Sequence, residues 1–161
     1  VSTSICPCSV PTSPPVADLA RDEPARAGGR VLVIDDEPVV RRVVTAMLVA
    51  KGYDVVEAAH GRAGLEAALA GGFDAIVCDL MMPELDGVAV HAALAAQRPE
   101  LVPRLVFVTG GAVSPRTRAF VERPDVTILT KPFSFEELLA AVAEVAARSA
   151  PAPRAATGPV R

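Results

Sequence analysis

Five short apolar runs alternate with five amphipathic stretches along the middle of the chain, and this alternation restricts the fold more than any other feature. The runs have the length and the β-branched content of buried strands. They are VLVI (31–34), DVVEA (54–58), AIVC (75–78), LVFVT (105–109) and VTILT (126–130). Strict alternation of strands and helices predicts an α/β fold with a parallel sheet and helices on both faces.

Each run is followed by a helical pattern with recognisable end signals. The five predicted helices are Pro38 to about Ala50 before Gly52, 61–70, Asp86 to Gln97 before Pro99, one that starts at Ser114-Pro115, and one that a capping box at 134–137 opens and that reaches about Arg148. The pattern is therefore (βα)5. For five strands the common doubly wound order is 2-1-3-4-5, the flavodoxin-like arrangement, with its ligand site at the carboxyl ends of strands 1 and 3.

The two ends of the chain have a different composition from its middle. Residues 1–29 are rich in Pro, Ser, Ala and Arg, and 149–161 have the same character, with neither a helical nor a strand period. Such segments gain too little from burial to offset the entropy lost on ordering. We therefore expect two disordered tails or linkers around one domain at 30–148.

Several classes of protein are disfavoured by composition. The net charge of −3 predicts no direct binding of nucleic acid, and no run approaches the roughly 18 apolar residues of a membrane span. Cys6, Cys8 and Cys78 match neither a disulfide framework nor a Cys-x-x-Cys site. There is no secretory signal, so we expect a cytoplasmic protein. The turn after strand 1, Asp-Asp-Glu-Pro, lacks the glycines of a dinucleotide-binding loop.

Acidic side chains stand at the ends of two strands that the predicted order makes neighbours. Asp35 and Asp36 follow strand 1, and Asp79 ends strand 3. Three carboxylates at such short distances repel one another, so a positive group must lie among them. A hard cation with oxygen ligands, Mg²⁺, is the economical choice, and Lys131 at the end of strand 5 adds a second positive charge.

A metal, a lysine and a hydroxyl group together make a phosphate site, and Thr109 at the end of strand 4 provides the hydroxyl. Asp79 is then a candidate nucleophile, because carboxylates form aspartyl phosphates. Each residue alone has an ordinary explanation as a helix cap, a turn former or a partner of a helix dipole. Lys131 is the least ordinary, since Lys51 and Lys131 are the only lysines among 16 basic residues. The convergence of four strand ends favours a functional site.

The segments VLVIDDEP, DLMMPELDG, VTGG and LTKPF, in this order, resemble the receiver domain of two-component response regulators over residues 30 to about 148. The resemblance implies that a histidine kinase or a histidine phosphotransfer protein transfers a phosphoryl group to Asp79. It implies the following further roles: Asp36, Asp79 and the Met81 carbonyl as Mg²⁺ ligands, Asp35 as a ligand largely through water, Thr109 as the switch hydroxyl, Lys131 as the ion-pair partner of Asp79, a cis Lys131–Pro132 bond, and Pro83 and Gly87 as residues that shape the loop.

Two departures from the family pattern concern output and lifetime. Ile128 stands three residues before Lys131, where the family usually has Tyr or Phe, so an aromatic side chain cannot couple to Thr109 there. Met81 and Gly111 stand at the two positions that orient an attacking water in the family. Because neither side chain can orient water, we expect slow self-hydrolysis of the phosphorylated form.

The first helix is apolar at more positions than one buried face requires, namely Val39, Val40, Val43, Val44, Met47 and Leu48. It is either a well-buried helix or, as in the family, the surface that docks on a helical bundle carrying the phosphohistidine. The chain is either a single-domain regulator or the receiver segment of a hybrid histidine kinase or another multidomain protein, and phosphorylation could drive formation of a homodimer.

We do not expect a conventional enzyme, only self-phosphorylation and self-dephosphorylation, with histidine kinase activity restricted to the case of a hybrid kinase. A metal-dependent small-molecule phosphohydrolase is one alternative. Those enzymes usually carry a second Asp two residues after the nucleophile, where this chain has Met81. An interaction module that works without phosphorylation is the other alternative, and it would predict the loss of one or more of the acids, all of which are present.

Overall fold

The computed structural model describes residues 28–111 and 114–149. Its five strands form one parallel sheet in the order β2-β1-β3-β4-β5, which confirms the predicted topology. The elements are β1 Arg30–Ile34, α1 Pro38–Ala50, β2 Asp54–Ala58, α2 Gly61–Ala70, β3 Ala75–Asp79, α3 Gly87–Gln97, the 3₁₀ helix Pro99–Arg104, β4 Leu105–Thr109, α4 Pro115–Val121, β5 Thr127–Thr130 and α5 Phe135–Ser149. The predicted tails lie, apart from their innermost residues, outside the described residues, as do Cys6 and Cys8.

Helices cover both faces of the sheet, and alternate strand residues point to each face. On one face, strand residues such as Val33 and Val77 pack with buried residues of α1 and α5, including Leu48 and Val142. On the other face, residues such as Ile34 and Phe107 pack with α2, α3 and α4. Because β1, β3 and β4 are covered on both faces, they are apolar throughout except for Arg30 at the start of β1 and the polar residues that end β3 and β4.

The register of the sheet brings the polar strand ends together. Ile34 of β1 lies opposite Cys78 of β3, so the residues that follow them in the two parallel strands, Asp35 and Asp79, lie side by side. On the far side of β3, Asp79 lies opposite Val108, and Thr109 lies opposite Thr130. Four strands therefore deliver their carboxyl-terminal residues to one edge.

Several element boundaries differ by one residue from the sequence-based expectation; for example, β1 begins at Arg30 and β3 ends at Asp79. Helix α3 begins at Gly87 because Asp86 is its N-cap, and the Asp86 carboxylate accepts a hydrogen bond from the Ala89 amide at 2.7 Å. Strand β5 begins at Thr127, one residue later than expected. Pro99 does close α3, but the chain then forms the 3₁₀ helix, which is a common connector and was not predicted.

None of the helices within the described ranges combines the length and the apolar character needed to cross a bilayer.

Candidate functional site

Three acidic side chains meet at the carboxyl edge of the sheet, as the strand order predicts. Asp35, Asp36 and Asp79 each offer a carboxylate oxygen, and these oxygens all lie within 4.8 Å of one another. Asp35 and Asp79 are only 4% and 7% exposed, whereas Asp36 is exposed. Two of the three carboxylates are therefore shielded from water, and the repulsion between them is screened less than it would be in solvent.

Backbone amides and Lys131 hold the two buried carboxylates. One oxygen of Asp35 accepts a hydrogen bond from the Glu37 amide at 2.8 Å, and one oxygen of Asp79 accepts from the Met81 amide at 3.0 Å. The other oxygen of each faces the Lys131 ammonium, at 3.4 Å for Asp35 and 3.3 Å for Asp79. The orientation of both carboxylates is thus set by one amide and one shared cation.

The pKa shifts at the site follow from burial and from this pairing. Burial raises the pKa of Asp35 above its usual value, and the Glu37 amide and the Lys131 ammonium offset only part of that effect. Burial also acts to lower the pKa of Lys131, but the carboxylates of Asp79 and Asp35 outweigh it, so the pKa of Lys131 is raised. Lys131 is a fixed cation at neutral pH, and the site is short of positive charge at Asp35.

The hydroxyl of Thr109 is a second unusual feature of the site. Its side chain is buried, and its Oγ1 has no hydrogen-bond partner among the residues that the structure describes. The Thr109 carbonyl accepts a hydrogen bond from the Lys131 amide at 2.7 Å, which ties the ends of β4 and β5 together. A buried hydroxyl without a partner is costly, so this donor suits an incoming oxygen acceptor such as a phosphoryl group.

The donor set fits Mg²⁺ better than a softer metal. It consists of three carboxylates, and this is the chemistry of a hard cation that retains water. The raised pKa of Asp35 adds a reason, because a bound cation would favour the charged form that burial disfavours. Asp35, Asp36 and Asp79 are the residues that would hold the ion.

The loop after Asp79 has little freedom. A Cβ atom added at Gly87 would lie 2.7 Å from the Asp79 carbonyl oxygen and 2.9 Å from the Leu80 Cα, so only glycine allows α3 to begin this close to β3. Within the loop, Glu84 has φ 64°, and the Leu85 amide donates a hydrogen bond to the Pro83 carbonyl at 2.8 Å. These contacts agree with the expectation that Pro83 and Gly87 shape the loop.

The structure gathers the predicted set at one edge. Asp35, Asp36 and Asp79 lie close together, Lys131 pairs with Asp35 and Asp79, and Thr109 adjoins them through the Lys131 amide. The predicted cis bond between Lys131 and Pro132 is confirmed. Met81 is adjacent through its amide and has a 46% exposed side chain, while its carbonyl as a metal ligand stays a prediction.

Two residues were not anticipated from the sequence, one beside the site and one in the core behind it. The guanidinium of Arg41, on α1, contacts the β1–α1 loop. Nothing in the sequence indicated this contact, because Arg41 is simply the first of two consecutive arginines in a predicted helix. His91 of α3 is buried, its Nε2 has no hydrogen-bond partner within 28–111 and 114–149, and its ring lies 5.0 Å from the Phe120 ring. A histidine in an otherwise apolar helix was the only signal available for it.

Helix α1 turns out to be buried on one side and apolar on the other. Val44 and Leu48 are buried in the core, so they cannot contact a partner. Val39 and Val43, one turn apart, are 67% and 47% exposed. Val40 and Met47 are partly buried against the core, so the exposed stripe that remains from the apolar set noted in the sequence consists of Val39 and Val43, beside the acidic loop.

Comparisons with known proteins agree with this geometry. The family model of the response regulator receiver domain matches residues 31–143. Among curated proteins, the transcriptional regulatory protein TcrA of Mycobacterium tuberculosis is 37% identical over 81% of this chain and 51% of its own length. The transcriptional regulator RpaA of Synechocystis is 36% identical over 79% of this chain and 53% of its own length. The chain thus spans about half the length of these relatives.

Solved structures give the same result. The receiver domain of the sensor histidine kinase PA1611 of Pseudomonas aeruginosa, which holds a magnesium ion in its active-site cleft, is 29% identical, with a TM-score of 0.66 over 75% of this chain and 99% of that one. The chemotaxis protein CheY4 of Vibrio cholerae is 30% identical, with a TM-score of 0.61 over 74% and 99%.

Proposed function

The chain belongs to the response regulator receiver domain family, and from this premise we propose that Asp79 accepts a phosphoryl group in a Mg²⁺-dependent reaction. The donor is the phosphohistidine of a histidine kinase or of a histidine phosphotransfer protein. The observation that carries the proposal is the surroundings of Asp79: a buried carboxylate with an ammonium at 3.3 Å, two further acids suited to a cation, and the unpartnered Thr109 hydroxyl at the same edge.

The transfer exchanges one bond to phosphorus for another. A carboxylate oxygen of Asp79 forms the new bond, the phosphorus–nitrogen bond of the donor breaks, and the departing imidazole keeps the electron pair. Mg²⁺, when bound by the acids, neutralises phosphoryl oxygens and so reduces their repulsion by the carboxylates. Lys131 offers a second cation to the same oxygens, and Thr109 donates a hydrogen bond to one of them.

Thr109 and Lys131 also connect the site to the rest of the fold. Thr109 ends β4, and the Lys131 amide is bonded to its carbonyl, so a shift of the hydroxyl towards a phosphoryl group acts on the ends of β4 and β5. We propose that this shift is the conformational signal. Ile128, which is half-buried and lies opposite Phe107, takes the place of the family's aromatic residue, so the signal travels by packing rather than by rotation of a ring.

Labelling by a small phosphodonor tests the proposed acceptor. The native chain and Asp79→Asn are incubated with acetyl phosphate and Mg²⁺, and the phosphorylated fraction is measured by mass spectrometry. Asp86→Asn is the matched control, because it changes an acid of the same loop while Asn preserves the helix cap. We expect labelling of the native chain and of the control only. Undiminished labelling of Asp79→Asn would refute the assignment, and steady release of phosphate from small substrates would favour the phosphohydrolase.

The phosphorylated form should be long-lived. The Met81 side chain is apolar, and Gly111 has no side chain, so neither can hold an attacking water in line with the phosphorus. The lifetime of the label after removal of the phosphodonor measures this directly. Rapid loss from the isolated, Mg²⁺-loaded chain would contradict it.

We assign docking of the phosphohistidine bundle to the exposed stripe of α1. Val39 and Val43 present apolar surface immediately beside the acidic loop, where a donor histidine must arrive. The proposed partner of this surface is a protein, and we propose binding neither to nucleic acid nor to a membrane. A cytoplasmic location and dimerisation on phosphorylation belong to the same proposal.

The output depends on what accompanies this domain. The curated relatives are about twice the length of the match and are named as transcriptional regulators, whereas one structural neighbour is the receiver of a sensor histidine kinase. We propose that the chain acts either alone or as the receiver segment of a longer protein of one of these two kinds. The genomic reading frame on both sides of this sequence distinguishes them.

A further inference from the structure

Arg41 is an arginine of α1 whose guanidinium turns back to the loop that carries two of the site acids. Its Nη1 donates a hydrogen bond to the Asp35 backbone carbonyl at 2.7 Å. Its Nε donates to a Glu57 carboxylate oxygen at 3.2 Å. The Arg41 side chain is only 15% exposed, which is unusual for arginine on a small domain.

The carbonyl that Arg41 holds belongs to the peptide unit between Asp35 and Asp36. A peptide unit is planar, so fixing this carbonyl sets the backbone direction on both of its sides and therefore the direction of both side chains. The other side of Asp35 is also fixed, since its amide donates to the Ala58 carbonyl at 3.2 Å. Arg41 is thus the clamp on the exposed end of this loop.

Glu57 in turn fixes the guanidinium. Glu57 lies on the edge strand β2. One nitrogen of the planar Arg41 guanidinium contacts the Glu57 carboxylate, and another contacts the Asp35 carbonyl. Lysine cannot reproduce this geometry, because it offers a single ammonium without the fork. The three-part contact connects β2, α1 and the acidic loop.

We propose that Arg41 is a positioning residue for Mg²⁺ binding, acting by orienting Asp35 and Asp36 through the peptide unit between them. The inference rests on the proposed function, because it takes the acidic group as the Mg²⁺ site. Groups that orient the ligands of a metal typically contribute about 10- to 100-fold to its affinity.

Charge and position predict opposite results when Arg41 is replaced. A guanidinium beside a cation site repels the incoming ion, so removal of its charge alone would tighten Mg²⁺ binding. Loss of the clamp frees the Asp35–Asp36 peptide and weakens binding. The sign of the change therefore separates the two roles.

The experiment measures Mg²⁺ binding to the unphosphorylated chain by isothermal titration calorimetry. Native chain, Arg41→Met, Arg41→Lys and Arg42→Met are compared, and chemical denaturation in EDTA establishes that each is folded. Arg42 is the matched control, since it is the neighbouring arginine of the same helix and is exposed. We expect Arg41→Met to bind Mg²⁺ about tenfold more weakly, Arg41→Lys to lie between it and the native chain, and Arg42→Met to match the native chain.

Mg²⁺ binding by folded Arg41→Met that equals or exceeds that of the native chain would overturn the inference. If Arg41→Met does not fold, Arg41→Lys decides, because it keeps the charge: weaker binding supports the clamp, and native binding overturns it. Failure of the native chain itself to bind Mg²⁺ would overturn the proposed metal site as well. That outcome is distinct from a failure confined to Arg41.

Discussion

Replacing Lys131 with Met should destabilise the metal-free protein by about 2–3 kcal/mol at neutral pH. The Lys131 ammonium lies 3.3 Å from Asp79 and 3.4 Å from Asp35, so its removal leaves two nearly buried carboxylates without a cation. One such pair attracts by about 5 kcal/mol at an effective dielectric constant of 20. Desolvation and the ordering of the lysine chain oppose that attraction. Removing one partner of a fully buried pair costs about 3–5 kcal/mol, and we expect less because 24% of the Lys131 side chain is exposed.

The cause of this loss can be separated from simple loss of packing by a double-mutant cycle. Asp35→Asn removes one of the two carboxylates and keeps its shape, so the double variant Lys131→Met with Asp35→Asn should recover about half of the loss. The free energies of unfolding are measured by urea denaturation in EDTA. Lys51→Met is the control: its ammonium is exposed and lies 5.4 Å from the Phe135 ring, a contact that contributes about 0.5–1 kcal/mol. A double variant as unstable as Lys131→Met alone would refute the electrostatic explanation.

Three other expectations use the same kind of reasoning. Gly87→Ala should lower the free energy of unfolding by about 1–3 kcal/mol, because the added Cβ meets backbone atoms at 2.7 and 2.9 Å. In the control Gly110→Ala the added Cβ meets only a flexible side chain at 3.3 Å, so the free energy of unfolding should change by no more than about 0.5 kcal/mol. Equal losses in the two variants would count against the packing argument. Burial, with a smaller effect of Arg123, lowers the pKa of His91 in the folded protein, so the unfolded chain takes up the proton first and the free energy of unfolding falls as pH drops through about 6.5. His91→Leu should reduce the pH dependence of the free energy of unfolding between about pH 7.5 and 5.5. An unchanged pH dependence would show that His91 is not its source. Val39→Ser with Val43→Ser should slow transfer from a histidine kinase about tenfold, the effect of about 1.4 kcal/mol of lost contact, without changing labelling by acetyl phosphate, and an unchanged rate of transfer would exclude α1 as the docking surface.

The strand order and the gathering of acids were predictable because they depend on local pattern and on topology. A parallel (βα)5 sheet brings the ends of strands 1 and 3 together whatever the side chains between them. Asp35, Asp79 and Lys131 therefore met as expected, and the register of β1 on β3 supplies the reason.

What the sequence did not reveal depends on contacts between distant elements. Arg41 lies six residues after Asp35, in the first turn of α1, and looks like a solvated surface residue until β2 places Glu57 beside it. The unpartnered Thr109 hydroxyl is equally invisible, because a threonine at a strand end usually finds a partner. On α1, the apolar positions were visible as a set, but only the packing against the sheet shows that Val44 is buried and Val43 is exposed.

The ion pairs of Lys131 also bear on when the protein first becomes able to react. They join residues 96 and 52 positions apart in the chain, so the site is assembled from contacts of long sequence separation. Such contacts form late in folding, because the entropy of closing the intervening chain must be lost first. In a chain emerging from the ribosome, the proposed acceptor site at Asp79 is incomplete until β5 has left the exit tunnel and paired with β4. On the proposed function, phosphorylation of Asp79 would therefore require the complete parallel sheet, and a chain that has not yet paired β5 with β4 would not be a substrate.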